Sequence, residues 1–169
     1  NLVNDQSEDE YIYSKENFED ELYEKLKFDF DLISPIILKW NDIFSDPKYD
    51  EFLRNLKSKF FDKDINHEGK LVVFSESKVT TDYLFDKLSS DGFDKVLKVD
   101  ASNRDNLTDI LASEFDANYA GKQTNNYNIL LTTEVLAEGI NLHRSNVIIN
   151  YDTPWNSTRL IQRIGRVNR

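Results

Sequence analysis

The sequence has no cysteine among its 169 residues. That removes disulfides, thiolate zinc sites and cysteine nucleophiles together, and fits a reducing cytoplasm. Methionine is absent too, so Asn1 is not a gene start and the chain reads as a piece of something longer. No apolar run approaches the roughly 20 residues needed to cross a bilayer as a helix, and no signal-peptide pattern opens the sequence. The two histidines, His67 and His143, stand alone, and an isolated imidazole makes a poor metal site. There is no G-x-x-x-x-G-K-[ST] loop to grip phosphates. Gly121–Lys122 does not supply one, because Asp116 stands where the earlier glycine would be and Gln123 follows the lysine. Nor do paired acids follow a strand as a magnesium site would need; "SEDE" (7–10) lies in a polar stretch.

Acid dominates what is present. The formal net charge is −10, unevenly spread. Residues 1–69 carry 9 basic and 18 acidic side chains, whereas residues 70–169 carry 12 and 13. Residues 144–169 set five arginines (Arg144, Arg159, Arg163, Arg166 and Arg169) against one acid, Asp152. The total excludes a protein that coats nucleic acid generally. It leaves room for a local anion site near the end. The hydrophobic content of 39% sets a soluble globular protein as the expectation.

Residues 1–13 (NLVNDQSEDEYIY) read as a polar, acidic tail. Residues 14–68 read as a helical segment. Phe18, Leu22, Leu26, Phe30 and Ile33 keep helical spacing. Ser34–Pro35 then reads as the N-cap and first residue of a second helix carrying Ile37, Trp40 and Phe44. Asp46–Pro47 repeats the signal ahead of Tyr49, Phe52, Leu53, Leu56 and Phe60, a stripe at i, i+3, i+4, i+7 and i+11. "DKDINHEG" (62–69) is a turn. From there to 169 short apolar runs appear: KLVVF (70–74), KVLKV (95–99), NILLT (128–132) and NVIIN (146–150). Between them lie amphipathic stretches through Val79, Tyr83, Leu84 and Leu88, and through Leu107, Ile110, Leu111 and Phe115. Apolar strands separated by helices predict an α/β fold whose parallel sheet is covered on both faces. Functional loops in such a sheet lie past the carboxyl ends of the strands. "ANYAGKQTNNYN" (117–128) is an asparagine-rich loop, and no internal repeat is present.

Three stretches carry chemistry. On a helical wheel of "TRLIQRIGRVNR" (158–169), Gln162, Arg166 and Arg169 share a face opposite Leu160, Ile164 and Val167. Guanidinium groups on such a face bind phosphate oxygens in a bidentate fork; a solvated basic face is the plainer alternative. Gly165 inside the helix costs roughly 1 kcal/mol against alanine and suggests a close neighbour. In "LLTTEVLAEGINL" (130–142), a strand ends in threonines and a glycine turn, placed to meet a ligand or simply to connect strand to helix. In "INYDTPWN" (149–156), Pro154 ends a strand, Asn156 or Ser157 can cap the arginine helix, and Trp155 reads as an anchor against helix or sheet rather than a stacking platform. Asp152 reads as a capping or salt-bridging group.

Taken in order, "KLVVFSES", "ILLTTEVLAEGINL", "NVIINYDTPWN" and "RLIQRIGRVNR" resemble motifs IV, V and VI of the superfamily-two helicases and translocases. "PWN" followed by "LIQRIGR" is similar to the SWI/SNF-type branch, especially its bacterial, RNA-polymerase-associated members, as is "DPKYDEFLRNLKSKF" leading into "GKLVVFS". "GRVNR" departs from the remodeller pattern toward the "GRxxR" of general helicases.

The resemblance implies that 69–169 is the second, C-terminal RecA-like lobe of such a motor, preceded by helices from the first lobe and lacking the strand that usually follows motif VI. It implies ATP and Mg2+ held mainly by the first lobe. Arg166 and Arg169 match the arginines that cross the cleft to ATP, with Arg169 at the finger position; they would stabilise charge on the transferring phosphoryl group. Gln162, Gly139 and Asn141 match nucleotide-side and interlobe positions. Thr133 and Ser75 match contacts to the nucleic-acid backbone, which carry little sequence information. The implied whole protein is a cytoplasmic ATP-dependent translocase with no membrane partner, acting on nucleic acid, DNA before RNA. The fragment alone is expected to be inactive. The alternative is a non-catalytic interaction module that keeps the lobe's fold, suggested by the acidic residues 1–69.

Overall fold

The computed structural model of the chain describes residues 18–133 and 140–167. The expected tail at 1–13, and the positions Gly139 and Arg169, lie outside the described residues. The chain divides into two units after Asp46.

The first unit is carried by helix α1 (Asp20–Asn41), which runs unbroken where two helices were expected. Pro35 lies inside it rather than at a start. Proline removes the donor to the carbonyl four residues back. Beside it, the Ser34 hydroxyl donates to the Phe30 carbonyl at 2.7 Å, a back-bond that keeps the neighbouring turn closed. The helix continues through it to Asn41.

The second unit contains α2 (Pro47–Ser58), β1 (Leu71–Phe74), α3 (Lys78–Ser90), β2 (Val96–Val99), α4 (Arg104–Phe115), β3 (Ile129–Thr132), β4 (Val147–Asn150) and α5 (Ser157–Val167). The strands pair in the order β2-β3-β1-β4, every pair parallel. Each predicted apolar run contains its strand, less the leading polar residue. The fold is the expected α/β lobe with a parallel sheet.

Alternation along the strands sorts the core into two faces. Leu71 and Val73 face a cluster with Ile129, Leu131, Leu84 and Leu88. Val72 and Phe74 face another with Leu130, Val99, Leu111, Phe115 and Val167. Helix α2 belongs to the first cluster: Tyr49, Phe52 and Leu56 are all buried there, and the Phe52 ring meets Tyr151 edge-on at 5.6 Å. The compact unit that holds the sheet begins at Pro47. Helix α3 ends in a Schellman motif. Gly92 takes φ 86°, its amide donates to the Ser89 carbonyl at 3.2 Å, and the Phe93 amide donates to Leu88 at 2.9 Å.

At the amino-terminal end of the sheet, buried charges fasten the asparagine-rich loop. The Glu114 carboxylate accepts from the amides of Asn126 at 2.9 Å and Tyr127 at 3.2 Å and from the buried Lys70 ammonium at 3.0 Å. Lys70 also donates to the Tyr127 carbonyl. Arg144 donates to the carbonyls of Ser113 at 2.6 Å and Thr124 at 2.9 Å and to Asn125 Oδ1 at 2.6 Å. It is thus engaged within the lobe. Burial alone would raise the Glu114 carboxyl, but bonds from Thr124, the Asn126 amide and Lys70 override it and lower it from 4.5 to about 2.

A group depressed in this way stabilises the fold fully above its unfolded value and loses that contribution as pH falls through its folded value. The gap in urea midpoint between the wild type and Glu114→Gln should therefore be widest near neutral pH. It should close as pH falls from 4.5 toward about 2. A gap that stays constant across that window would show that Glu114 ionisation is not what holds the loop.

Candidate functional site

Parallel register sets the geometry of the site. Phe74, the last residue of β1, stands level with Thr132 of β3 and Asn150 of β4. The ladder runs one step further, with the Ser75 amide bonded to the Thr132 carbonyl at 3.0 Å and the Tyr151 amide to the Phe74 carbonyl at 2.8 Å. Ser75 and Thr133 therefore leave neighbouring strands at the carboxyl edge of the sheet, where ligands of open α/β sheets bind.

Both are buried in this lobe. The Ser75 hydroxyl donates to Asp152 Oδ2 at 2.5 Å. Asp152 Oδ1 accepts from the Lys48 ammonium at 2.6 Å, which also lies 4.2 Å from the Tyr151 ring centroid. Asp152 is thus a salt-bridging group, as expected. Burial opposes its ionisation, but the Lys48 and Ser75 bonds override that and hold its carboxyl below the usual range. The bridge fastens the first turn of α2 to the strand end that carries Ser75. Next to Thr133, the Thr132 hydroxyl donates to the Val99 carbonyl at 2.9 Å, closing β3 against β2.

The turn after β4 places its residues differently from expectation. Pro154 is buried, and Trp155 is fully exposed at 104%. The proline takes the inward place, so the indole anchors nothing among the described residues. Asn156 caps α5, its Oδ1 accepting from the Thr158 amide at 2.9 Å.

Helix α5 packs by part of the expected stripe, Val167 with half-buried Leu160, but is turned so that Ile164 faces outward. Val167 is buried, but Ile164 is 49% exposed and Ile161 is 69% exposed. The inward place beside Val167 belongs to Arg163, which is wholly buried. Its guanidinium donates to Asn150 Oδ1 at 2.6 Å and to Glu76 Oε1 at 2.7 Å, 5.1 Å from the Phe74 ring centroid. Arg159, one turn earlier, donates to Glu76 Oε2 at 3.0 Å. The signal for Arg163 was its i+3 spacing from Leu160 and i−4 spacing from Val167, on the buried stripe; hydrophobicity drew the eye to Ile164. Nothing among the described residues lies within 4 Å of where a Gly165 side chain would stand, so the glycine is not explained by packing inside the lobe.

Of the predicted residues, Gln162 is exposed, while Arg166 and Asn141 are half-buried. The structure brings the last two together: the Leu142 amide, next to Asn141, donates to the Arg166 carbonyl at 2.8 Å. The end of one predicted motif is thus stitched to the last turn of another. Among the described residues, no group of three or more acidic or histidine side chains can hold a metal ion.

The fold is shared with known proteins. The model of the helicase conserved C-terminal domain family matches residues 48–169. The chain is 33% identical over 105 residues to an uncharacterized ATP-dependent helicase, YqhH, of Bacillus subtilis, covering 60% of this chain and 17% of that protein. It is 30% identical over 122 residues to the ATP-dependent RNA helicase DBP2 of Candida glabrata, covering 72% and 20%. The chain thus spans a fifth or less of the length of these relatives. Among solved structures, the C-terminal part of the Fun30 ATPase domain superposes with a TM-score of 0.59 at 25% identity, over 89% of this chain and 46% of that one. A parallel sheet whose motif-bearing loops gather at one edge, and a family match that starts at α2 and runs through α5, place this chain in the helicase conserved C-terminal domain family, as a superfamily-two RecA-like lobe.

Proposed function

We propose that this lobe supplies the second half of an ATP site and a nucleic-acid-tracking edge to a two-lobed translocase. The observation that carries the reading is the convergence at α5. One helix holds Gln162 exposed and Arg166 at the rim, and its last turn is bonded to the segment beginning at Asn141. Gln162, Arg166 and Asn141, with Gly139 and Arg169 beside them in sequence, would meet a nucleotide held by the first lobe. ATP with Mg2+ supplies the phosphoryl group to be transferred. This lobe has no donor set for the metal among its described residues, so its part is to place guanidinium charge against the phosphates.

Ser75 and Thr133 lie at the edge where a nucleic-acid backbone would run. The Ser75 hydroxyl is already committed to Asp152, so a phosphate contact there requires that bond to be exchanged. Trp155, fully exposed on the same edge, offers an aromatic face on which a base can stack. The motif resemblance to SWI/SNF-type translocases favours DNA as the track, whereas some matched relatives are named RNA helicases. Duplex DNA should therefore stimulate ATP turnover by the intact protein more than single-stranded RNA of equal length. The reverse order would reassign the substrate.

Two further outcomes test the ATP half. The 169-residue chain, which contains no phosphate-gripping loop, should show no nucleic-acid-stimulated ATP turnover by itself; measurable turnover overturns the division of labour. In the intact protein, Arg166→Ala should lower kcat about a thousandfold while nucleotide affinity changes little, as for arginines that act on the transferring phosphoryl group. Wild-type turnover in that variant would remove α5 from the chemistry.

A further inference from the structure

Two guanidinium groups on α5 converge on a single carboxylate. Glu76 lies in the turn after β1, one residue beyond Ser75. One of its oxygens accepts from Arg163 at 2.7 Å and the other from Arg159 at 3.0 Å. The two arginines stand four residues apart, on one face of the helix. A single ion pair would let the helix swing about the contact. Two contacts one turn apart, with a third from Arg163 to Asn150 at 2.6 Å, fix both its rotation and its height against the sheet. Arg166 follows Arg163 by three residues, roughly 4.5 Å along the axis, so its direction depends on where Arg163 is held.

We propose that Glu76 is a positioning residue for the arginine helix: it sets the register of α5 from the strand end that carries Ser75, and thereby the reach of Arg166. The inference rests on the role proposed above for Arg166 in ATP turnover. Glu76 touches no reacting atom in this scheme. It acts through Arg163 and Arg159, and because it adjoins Ser75 in the chain, a displacement of that strand end is passed directly to the helix.

The test uses the intact ATPase. Glu76→Asp keeps the negative charge that buried Arg163 needs, but is one methylene shorter and cannot hold both guanidiniums in place. The expected result is a fall in nucleic-acid-stimulated kcat of about tenfold or more, since a displacement of about 1 Å at a reacting contact costs up to about a hundredfold. The KM for ATP should stay within about twofold, and the variant should remain folded at the assay temperature. Arg159→Gln removes one of the two contacts at a half-exposed position and should lower kcat about threefold in the same sense; it decides the matter if the aspartate variant fails to fold. Wild-type kcat in both variants, or a loss of kcat that disappears when the assay is run well below the variant's thermal midpoint, overturns the proposal. Arg166→Ala, run alongside, separates the two levels. If it abolishes turnover while the Glu76 and Arg159 variants keep wild-type kcat, the positioning role alone fails. If it leaves turnover intact, the reading of α5 fails and this inference falls with it.

Discussion

Strand β1 is hydrogen-bonded on both sides, and its last residue is level with the last residues of both neighbours. That shared finish line governs everything at the carboxyl edge. It brings Ser75, Thr133 and Tyr151 out together, though they are far apart in sequence. It also fixes the inward alternation, so that Val72 and Phe74 meet α4 and α5 while Leu71 and Val73 meet α2 and α3. A slip of one residue in β1 would exchange the two faces and bury the wrong set. The polar residue ahead of each strand adds to the definition: Lys70 ends in the Glu114 cluster at the opposite edge, so β1 is held at both ends.

Charge is handled in opposite ways at the two ends of the sheet. At the amino end, Lys70, Glu114 and Arg144 spend their capacity on the backbone of one long loop, a structural use that leaves little for a ligand. At the carboxyl end, Lys48–Asp152 and Arg163–Glu76 tie separate elements to β1. Burying a guanidinium is expensive unless a carboxylate and further acceptors meet it. Arg163 has Glu76, Asn150 and the face of Phe74 around it. Such an arrangement tolerates few alternative placements of α5 against the sheet.

The sheet was legible in the sequence because its parallel strands are written as short, mostly apolar runs, Lys98 in β2 being the one charged interruption, and turns separate them plainly. The helices were legible in kind, less so in extent. Pro35 looked like a beginning because proline is common at a first turn, yet the apolar pattern on both sides outweighed the one missing donor. The stripe on α2 was read correctly, but a stripe does not say which body it joins, and Tyr49, Phe52 and Leu56 turned out to complete the lobe. On α5, spacing alone could not choose between Ile164 and Arg163 for the inward position; the choice depends on Glu76, in the turn after β1, and Asn150, at the end of β4. Trp155 was misplaced for a related reason. Tryptophan is usually covered, but here the preceding proline takes the covered position. Neither partner of Ser75, Asp152 or through it Lys48, can be seen without the fold, since they lie 77 and 27 residues away.

The placement of the tryptophans has a practical side. The chain has two, Trp40 and Trp155, and both are largely bathed in solvent, at 72% and 104% exposure. Emission from Trp155, the lobe's own indole, will therefore be red-shifted in the native lobe already and will change little on its denaturation. The same light is well placed to report anything that covers the rim beside β4, because a base or a facing surface laid on Trp155 would quench it or shift it blue. The lobe carries an optical sensor of occupancy that is nearly blind to its own unfolding.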